Sequence, residues 1–311
     1  MIDHVKHDHE PSEDPGLTIR PCSDVPSAVT FAAFRAGFAD YPVKFNFSEQ
    51  QFVERFFGME GNRPADSFLA FDGAEPVGLI LGGIRTHDGE RTLRCGTLCV
   101  VPARRGNGVS QALYRRFEQN GCAQNCTRAL LEVLSENGRA IRFYEKQGFQ
   151  KRNRLLYFRA TGQAADANAL DEKHEKYPDI VLGRTELEQA AAVRETMPAC
   201  RLNWQNEPAY FRLDKQAACF AAYDGGGPIG LAVMTPAGKI YFLWVAETHR
   251  RRGVARRLLR FAKAELQAAD LSIGLPDTVP MLPFLSACRF VREKTEQFEM
   301  VKHLSLPTPD V

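Results

Sequence analysis

The chain has 311 residues, 44% of them hydrophobic, which is material for roughly two cores in domains of ~150 residues each. A formal net charge of +2 gives no reason to expect a nucleic-acid or membrane partner, and no apolar run approaches the ~20 residues of a membrane span. The start of the chain has no apolar signal-peptide core, and the eight cysteines include no C-x-x-C pair, so reduced thiols in a cytoplasmic protein without a metal site are expected.

Residues 1–16 read as a disordered polar tail; His4, His7 and His9 beside Asp8 belong to it, with Pro11, Pro15 and Gly16 following. Residues 17–21 predict a strand and 25–38 a helix, broken at Tyr41-Pro42-Val43. A second helix is expected over 49–57, then neighbouring strands at 67–72 and 77–84. Residues 92–101 predict a strand that runs into a turn and a helix. A strand at 129–134, a helix at 139–147 and two segments, near 150 and over 155–159, close the first sheet. The polar, alanine-rich stretch 161–177 reads as a linker. Beyond it the pattern repeats: a strand–helix opening at 180–194, then strands at 217–223, 229–235 and 240–245, with a loose hairpin at Asp224-Gly225-Gly226-Gly227-Pro228.

The repeat is clearest at the turns. L-C-V-V-P-A-R-R-G-N-G-V-S-Q-A-L-Y (98–114) returns as L-W-V-A-E-T-H-R-R-R-G-V-A-R-R-L-L (243–259), with Arg250 lying 145 positions after Arg105. Each is an apolar strand, an arginine- and glycine-rich turn and an amphipathic helix. Helix N-termini leave backbone N–H groups without partners at the positive end of the helix dipole, and glycines let an anion approach them. Arg104 and Arg105, and Arg250 to Arg252, add charge where a diphosphate would sit. The pattern is neither the Walker lysine loop nor G-x-G-x-x-G.

These turns resemble the pyrophosphate-binding signature Gln/Arg-x-x-Gly-x-Gly/Ala of the GNAT N-acetyltransferase superfamily. The first copy is Arg105, Gly106, Asn107, Gly108, Val109 and Ser110; the second is Arg250, Arg251, Arg252, Gly253, Val254 and Ala255. The resemblance continues through L-L-E-V-L-S-E-N-G-R-A-I-R-F-Y-E-K-Q-G-F (130–149), which matches the family's fifth strand, its next helix and its Tyr-x-x-x-Gly-Phe ending. It implies an α/β fold of two tandem acyl-CoA N-acyltransferase domains, 17–160 and 178–306, each a mixed, mostly antiparallel sheet with helices on both faces. It implies acetyl-CoA as co-substrate and the amine of a small molecule or peptide as acceptor.

Residue by residue, the resemblance makes Tyr144 the acid that protonates the departing thiolate. An unperturbed phenol pKa of about 10 and a thiol pKa of about 8.5 make that transfer feasible. Glu132 falls where some relatives have their base, although alternation also allows a solvent-facing or salt-bridged strand residue there, and direct proton loss through water stays open. Cys99, Val100 and Val101 would offer backbone N–H groups to the acetyl carbonyl and pantetheine arm. Asn137 would bond the cofactor backbone, cap the following helix, or do both. Tyr41 lies at the substrate loop or is simply a turn residue. Segments 38–47 and 151–158 are expected to set specificity.

The second copy departs from the pattern. Aligning Phe149 with Phe290 sets Leu285 opposite Tyr144, Thr278 opposite Asn137 and Arg289 opposite Gly148, while Pro276, Pro280 and Pro283 crowd the expected helix. The first domain is therefore expected to be catalytic, and the second degenerate with a possible second cofactor site. A mycothiol-synthase-like tandem acetyltransferase and a non-catalytic acyl-CoA-binding or protein-interaction module are the alternatives; substrate and oligomeric state stay open.

Overall fold

In the computed structural model, which describes residues 16–41, 45–162, 180–197 and 200–305, both halves of the chain contribute to one sheet. The tail through residue 15, most of the linker and Pro42-Val43 fall outside the described residues.

The first half runs β1 (Leu17–Pro21), α1 (Ser27–Gly37), α2 (Glu49–Phe52), β2 (Phe68–Asp72), β3 (Glu75–His87), β4 (Glu90–Val100), α3 (Val109–Ala123), β5 (Arg128–Leu134), α4 (Gly138–Lys146) and β6 (Gln150–Ala160). The second half runs β7 (Val181–Thr185), α5 (Leu187–Glu195), α6 (Pro208–Phe211), β8 (Ala218–Tyr223), β9 (Pro228–Met234), β10 (Lys239–Val245), α7 (Val254–Glu265), β11 (Leu271–Pro276), α8 (Leu282–Ala287) and β12 (Val291–His303).

Three expectations change in detail. The first helix starts at Ser27 because Pro26 holds Val25 extended, at φ −135° and ψ 152°. The second helix is α-helical only over Glu49–Phe52, where Ser48 and Gln51 form a capping box, and continues as a π-helix over Val53–Met59. The two closing segments are one strand, β6, whose register against β12 shifts near Lys151 and Asn153.

The strand order is β1-β2-β3-β4-β5-β12-β6-β11-β10-β9-β8-β7. β4–β5 and β10–β11 are the parallel pairs; the other neighbours are antiparallel. The last strand of the second half, β12, thus sits between β5 and β6 of the first, and β6 reaches across to β11. The exchange is reciprocal about the pair Gln297 and Leu155. Glu132 of β5 faces Glu299 of β12, and Gly274 of β11 faces Tyr157 of β6.

Alternation along the strands separates two faces. Phe68 and Ala70 of β2, with Ala129, Leu131 and Val133 of β5, join the core under α3 and α4; Leu69 and Phe71 face α1 and α2. On β8, Ala218, Phe220 and Ala222 pack under α7 and α8, while Cys219 and Ala221 pack under α5 and α6. Leu130 of β5 joins that last core beside Trp204 and Tyr210, so α1, α2, α5 and α6 share one face of the sheet.

Candidate active site

The parallel pairing of β4 with β5 ends at Cys95 opposite Leu131, and beyond it the strands part. β4 keeps its other edge on β3, with Cys99 opposite Leu79 and Val100 opposite Gly78. Val101 donates its N–H to the Val77 carbonyl at 3.0 Å, so it has none for a ligand, contrary to expectation. Alternation then directs the N–H of Val100 into the gap, while Cys99 is bonded toward β3.

At the end of β4 the chain passes through a 3₁₀ turn, Pro102–Arg104, into Gly106, Asn107 and Gly108. Gly108 is left-handed, at φ 79° and ψ −10°, and is the N-cap of α3 with no side-chain cap. The N–H groups of Val109, Ser110 and Gln111 have no acceptor among the described residues, which is the donor set a diphosphate needs. The helix can approach this closely because β3 carries Gly78 beneath it. A Cβ there would stand 2.8 Å from Val109 Cγ1 and 2.9 Å from Leu113 Cδ1.

The arginine charge expected at this turn is directed elsewhere. Arg105 donates to both Asp40 oxygens at 2.6 and 2.7 Å, to the Gly37 carbonyl at 3.0 Å and to the Val100 carbonyl at 3.0 Å. It ties the end of α1 to the end of β4, and Asp40 raises its pKa above the ordinary guanidinium value. Arg104 pairs with Asp72 at 2.6 Å. What the turn itself could offer an anion is therefore its backbone dipoles.

Tyr144 lies on α4, on the α3/α4 side of the gap. Its ring meets Phe143 and Phe149 edge-on, and its hydroxyl is 3.8 Å from Cys95 Sγ, at the point where β4 and β5 separate. Burial holds the phenol well above its ordinary pKa of 10 and pushes the Cys95 thiol up to about 11, so both carry their protons at neutral pH. Asn137 is the cap its position suggested: its Oδ1 accepts from the Ala140 N–H at 3.1 Å.

Glu132 lies on the opposite face of β5. Arg94 of β4 donates to Glu132 Oε2 at 2.7 Å and to Glu60 at 3.3 Å, and all three side chains are largely buried. Glu132 Oε1 is buried with no hydrogen-bond partner. Tyr157, Tyr210 and Lys239 share this surrounding, and the charges of Glu60 and Glu132 act on all three. Across the strand, burial raises the Glu299 carboxyl to about 7, with Glu132 adding to the effect against the pull of Arg152. Tyr41 lies apart from this cluster, its ring against Phe38 and Phe45, and partial burial raises its phenol.

Arg94, Glu60, Tyr157 and Lys239 were not singled out from the sequence. A charged residue inside the apolar run Thr92-Leu93-Arg94-Cys95 signals a buried ion pair. Glu60, in a loop after a π-helix, carries no such signal.

The second turn reproduces the first atom for atom in several places. Gly253 is left-handed at φ 85°, Arg250 Nε donates to the Val245 carbonyl at 3.1 Å, and Ala246 donates to Ile229 at 2.9 Å. Gly230 takes the place of Gly78, its Cβ position 3.0 Å from Val254 Cγ1. β10 and β11 part after Ile240 opposite Ile273. The side chains around the gap do not repeat. Leu285 on α8 is buried where α4 has Tyr144, and both are bonded back to their phenylalanines, Phe290 and Phe149. Gly274 stands at the register of Glu132, and a Cβ on it would lie 2.7 Å from the ring of Tyr157. The Thr278 expectation also changes: α8 is capped from Met281, without a side-chain cap.

No helix among the described residues is long and apolar enough to cross a membrane. His87, Asp88 and Glu207 place potential ligand atoms within 4.8 Å of one another, but Arg152 bonds Asp88 and Arg194 bonds Glu207.

Comparison with known proteins agrees with this geometry. The family model described as "Acetyltransferase (GNAT) family" matches residues 32–149 and again 185–289. An acetyltransferase of Sodalis glossinidius (strain morsitans) is 34% identical over 96 residues, which is 30% of this chain and 65% of that protein. A mycothiol acetyltransferase of Streptomyces scabiei (strain 87.22) is 30% identical over 154 residues, 49% of this chain and 48% of that one. The chain thus spans between about half and two thirds of the length of these relatives. Among solved structures, a tandem GNAT protein from the clavulanic acid biosynthesis pathway superposes with a TM-score of 0.63 at 16% identity, covering 94% of this chain and 99% of that one. An N-acetyltransferase from Sphaerobacter thermophilus gives 0.63 at 15% identity, covering 95% and 98%. Two family matches on one chain, at the two halves that share this sheet, identify the protein as a tandem member of the GNAT acetyltransferase family.

Proposed function

We propose that the protein is an acetyl-CoA-dependent N-acetyltransferase whose first half carries the chemistry. The observation that supports this most is the gap between β4 and β5, with Tyr144 on one side, Glu132 on the other and the uncapped α3 at its end. The donors at Val109, Ser110 and Gln111 hold the diphosphate, the β4 edge at Val100 orients the pantetheine arm and thioester, and Asn137 closes the cofactor side. Glu132 Oε1 takes a proton from the incoming ammonium. The freed amine nitrogen forms a bond to the acetyl carbon, the carbon–sulfur bond breaks, and Tyr144 gives its proton to the departing thiolate. The second amine proton passes to the Tyr144 phenolate, and Glu132 releases the proton it took to solvent, so one proton is released per turnover. In the second half Leu285 and Gly274 leave neither group in place, so that half supports the first and offers at most a second acyl-CoA binding turn.

Tyr41 borders the outer part of the acceptor side in this reading. The local similarity to a mycothiol acetyltransferase supports a second reading, with a mycothiol-type acceptor on the same site. The test is release of free CoA thiol from acetyl-CoA with a panel of primary amines. Direct transfer predicts intersecting initial-rate patterns, as for a ternary complex, and no acetylated cysteine on the protein. Tight acetyl-CoA binding with no thiol release from any amine would establish a binding module instead.

A further inference from the structure

Arg94 and Lys239 are counterparts, 145 positions apart, each one residue before the point where its parallel pair opens. Their surroundings differ. Arg94 is bonded to two carboxylates, Glu132 and Glu60. Among the described residues the Lys239 ammonium has one hydrogen-bond acceptor, Gln205 Oε1 at 3.1 Å, and otherwise lies 4.5 and 5.4 Å from the ring centres of Tyr241 and Tyr210. The nearby Asp214 carboxylate is engaged by the Tyr241 hydroxyl at 2.7 Å. No carboxylate is in contact with the Lys239 ammonium among the described residues, and burial lowers its pKa below the ordinary value. Glu60 and Glu132 lie near enough to act on its charge from the first half.

One small region therefore holds a negative pole, Glu132 with its unpartnered Oε1, and a positive pole supplied by the other half of the chain. Both signs of charge meet here: Arg94 and Lys239, with Arg55 and Arg85 in reach, face Glu60 and Glu132, with Asp214 also acting on Lys239. A zwitterion enters such a site without adding net charge, whereas a simple cationic amine adds one. We infer that the acetyl acceptor is an amino acid or amino-acid-like zwitterion, its carboxylate held by Lys239 and its amine presented to Glu132. This rests on the acetyltransferase reading above and adds the substrate class to it. It also gives the second half a part in recognition: Lys239 is a specificity residue carried to the first half's site by the exchanged strands.

The test pairs each amino acid with its decarboxylated amine in the thiol-release assay, using the full chain and its Lys239→Met and Lys239→Arg variants. The amino acid of a pair should be the better substrate. Lys239→Met should raise its KM by about tenfold or more, the worth of one charge-assisted hydrogen bond, with kcat within about threefold. The same variant should leave the KM of the decarboxylated amine unchanged, and Lys239→Arg should restore part of the preference. A merely structural lysine would move both substrates together. If Lys239→Met does not fold, Lys239→Gln serves the same comparison. Equal use of both members of every pair, with the variants indifferent, would overturn the inference while leaving the acetyltransferase assignment standing. No transfer to any member would overturn the assignment, and the inference with it.

Discussion

On the proposed mechanism, replacing Tyr144 by Phe removes the proton donor and keeps its packed ring. The ring stays, with its edge contacts to Phe143 and Phe149, and only a hydroxyl 3.8 Å from Cys95 Sγ is removed. A sulfur contact that long is a weak hydrogen bond, so the loss in stability should stay within about 1 kcal/mol, or a few degrees of melting temperature. A general acid contributes about 10²- to 10⁴-fold, which is about 3–5 kcal/mol of barrier. The variant should therefore lose at least about a hundredfold in kcat while its acetyl-CoA affinity and melting temperature barely move. Thiol release under saturating substrate, calorimetric binding of acetyl-CoA and a thermal melt measure the three quantities. Burial holds the phenol well above pH 10, so Tyr144 stays protonated and contributes no alkaline fall in kcat below that value. A kcat within about threefold of the parent would refute the donor role, as would a stability loss large enough to explain the activity by itself.

Three further outcomes are expected. Gly78→Ala should cost about 1–3 kcal/mol by pushing α3 off β3, and should weaken acetyl-CoA binding; Gly230→Ala, facing Val254 at 3.0 Å, should lower the melting temperature without changing turnover. Glu299, raised from 4.5 to about 7, contributes stability that is intact below pH 4.5 and lost as pH rises through about 7. Glu299→Gln should therefore gain on the parent across that window by on the order of 3 kcal/mol, and parallel stability curves for the two proteins would sink the assignment. Fragments 16–162 and 180–305, expressed separately, should aggregate and together should copurify as one complex, because β6 and β12 each lie between strands of the other fragment; a stable monomeric first fragment would contradict this.

Much of this was legible in the chain because it depends on local chemistry. A glycine after an apolar strand and before an amphipathic helix announces an uncapped N-terminus, and Gly108 and Gly253 occupy left-handed conformations only six degrees apart in φ, 79° and 85°. Asn137 before a helical run announces a cap. The side-chain duties of Arg105 were not legible, since Asp40 lies 65 positions away and nothing in the local pattern marks the pair. The strand exchange was less legible still. Alternation marks 155–159 of β6 as a strand but did not single out 291–303, and the neighbours of both are set by which edges remain open after the rest of the sheet has formed.

The retention of the second turn has a physical cause that does not require a second reaction. Arg250 bonds the Val245 carbonyl as Arg105 bonds Val100, and Gly253 lets α7 settle on Gly230 as Gly108 lets α3 settle on Gly78. These features seat a helix on a sheet whether or not a diphosphate is bound, so losing the turn would cost packing in a half that supplies β12 to the other. The phenol and the carboxylate of the first half have no counterpart there. Leu285 fills the core under α7 and α8 as an apolar side chain should, and Gly274 makes room for Tyr157, the very strand residue that the exchange brings across. Once β6 crosses to β11, a carboxylate at position 274 would collide with that ring. The topology that joins the two halves thus keeps the glycine turn in both and leaves space for a carboxylate at this register in one.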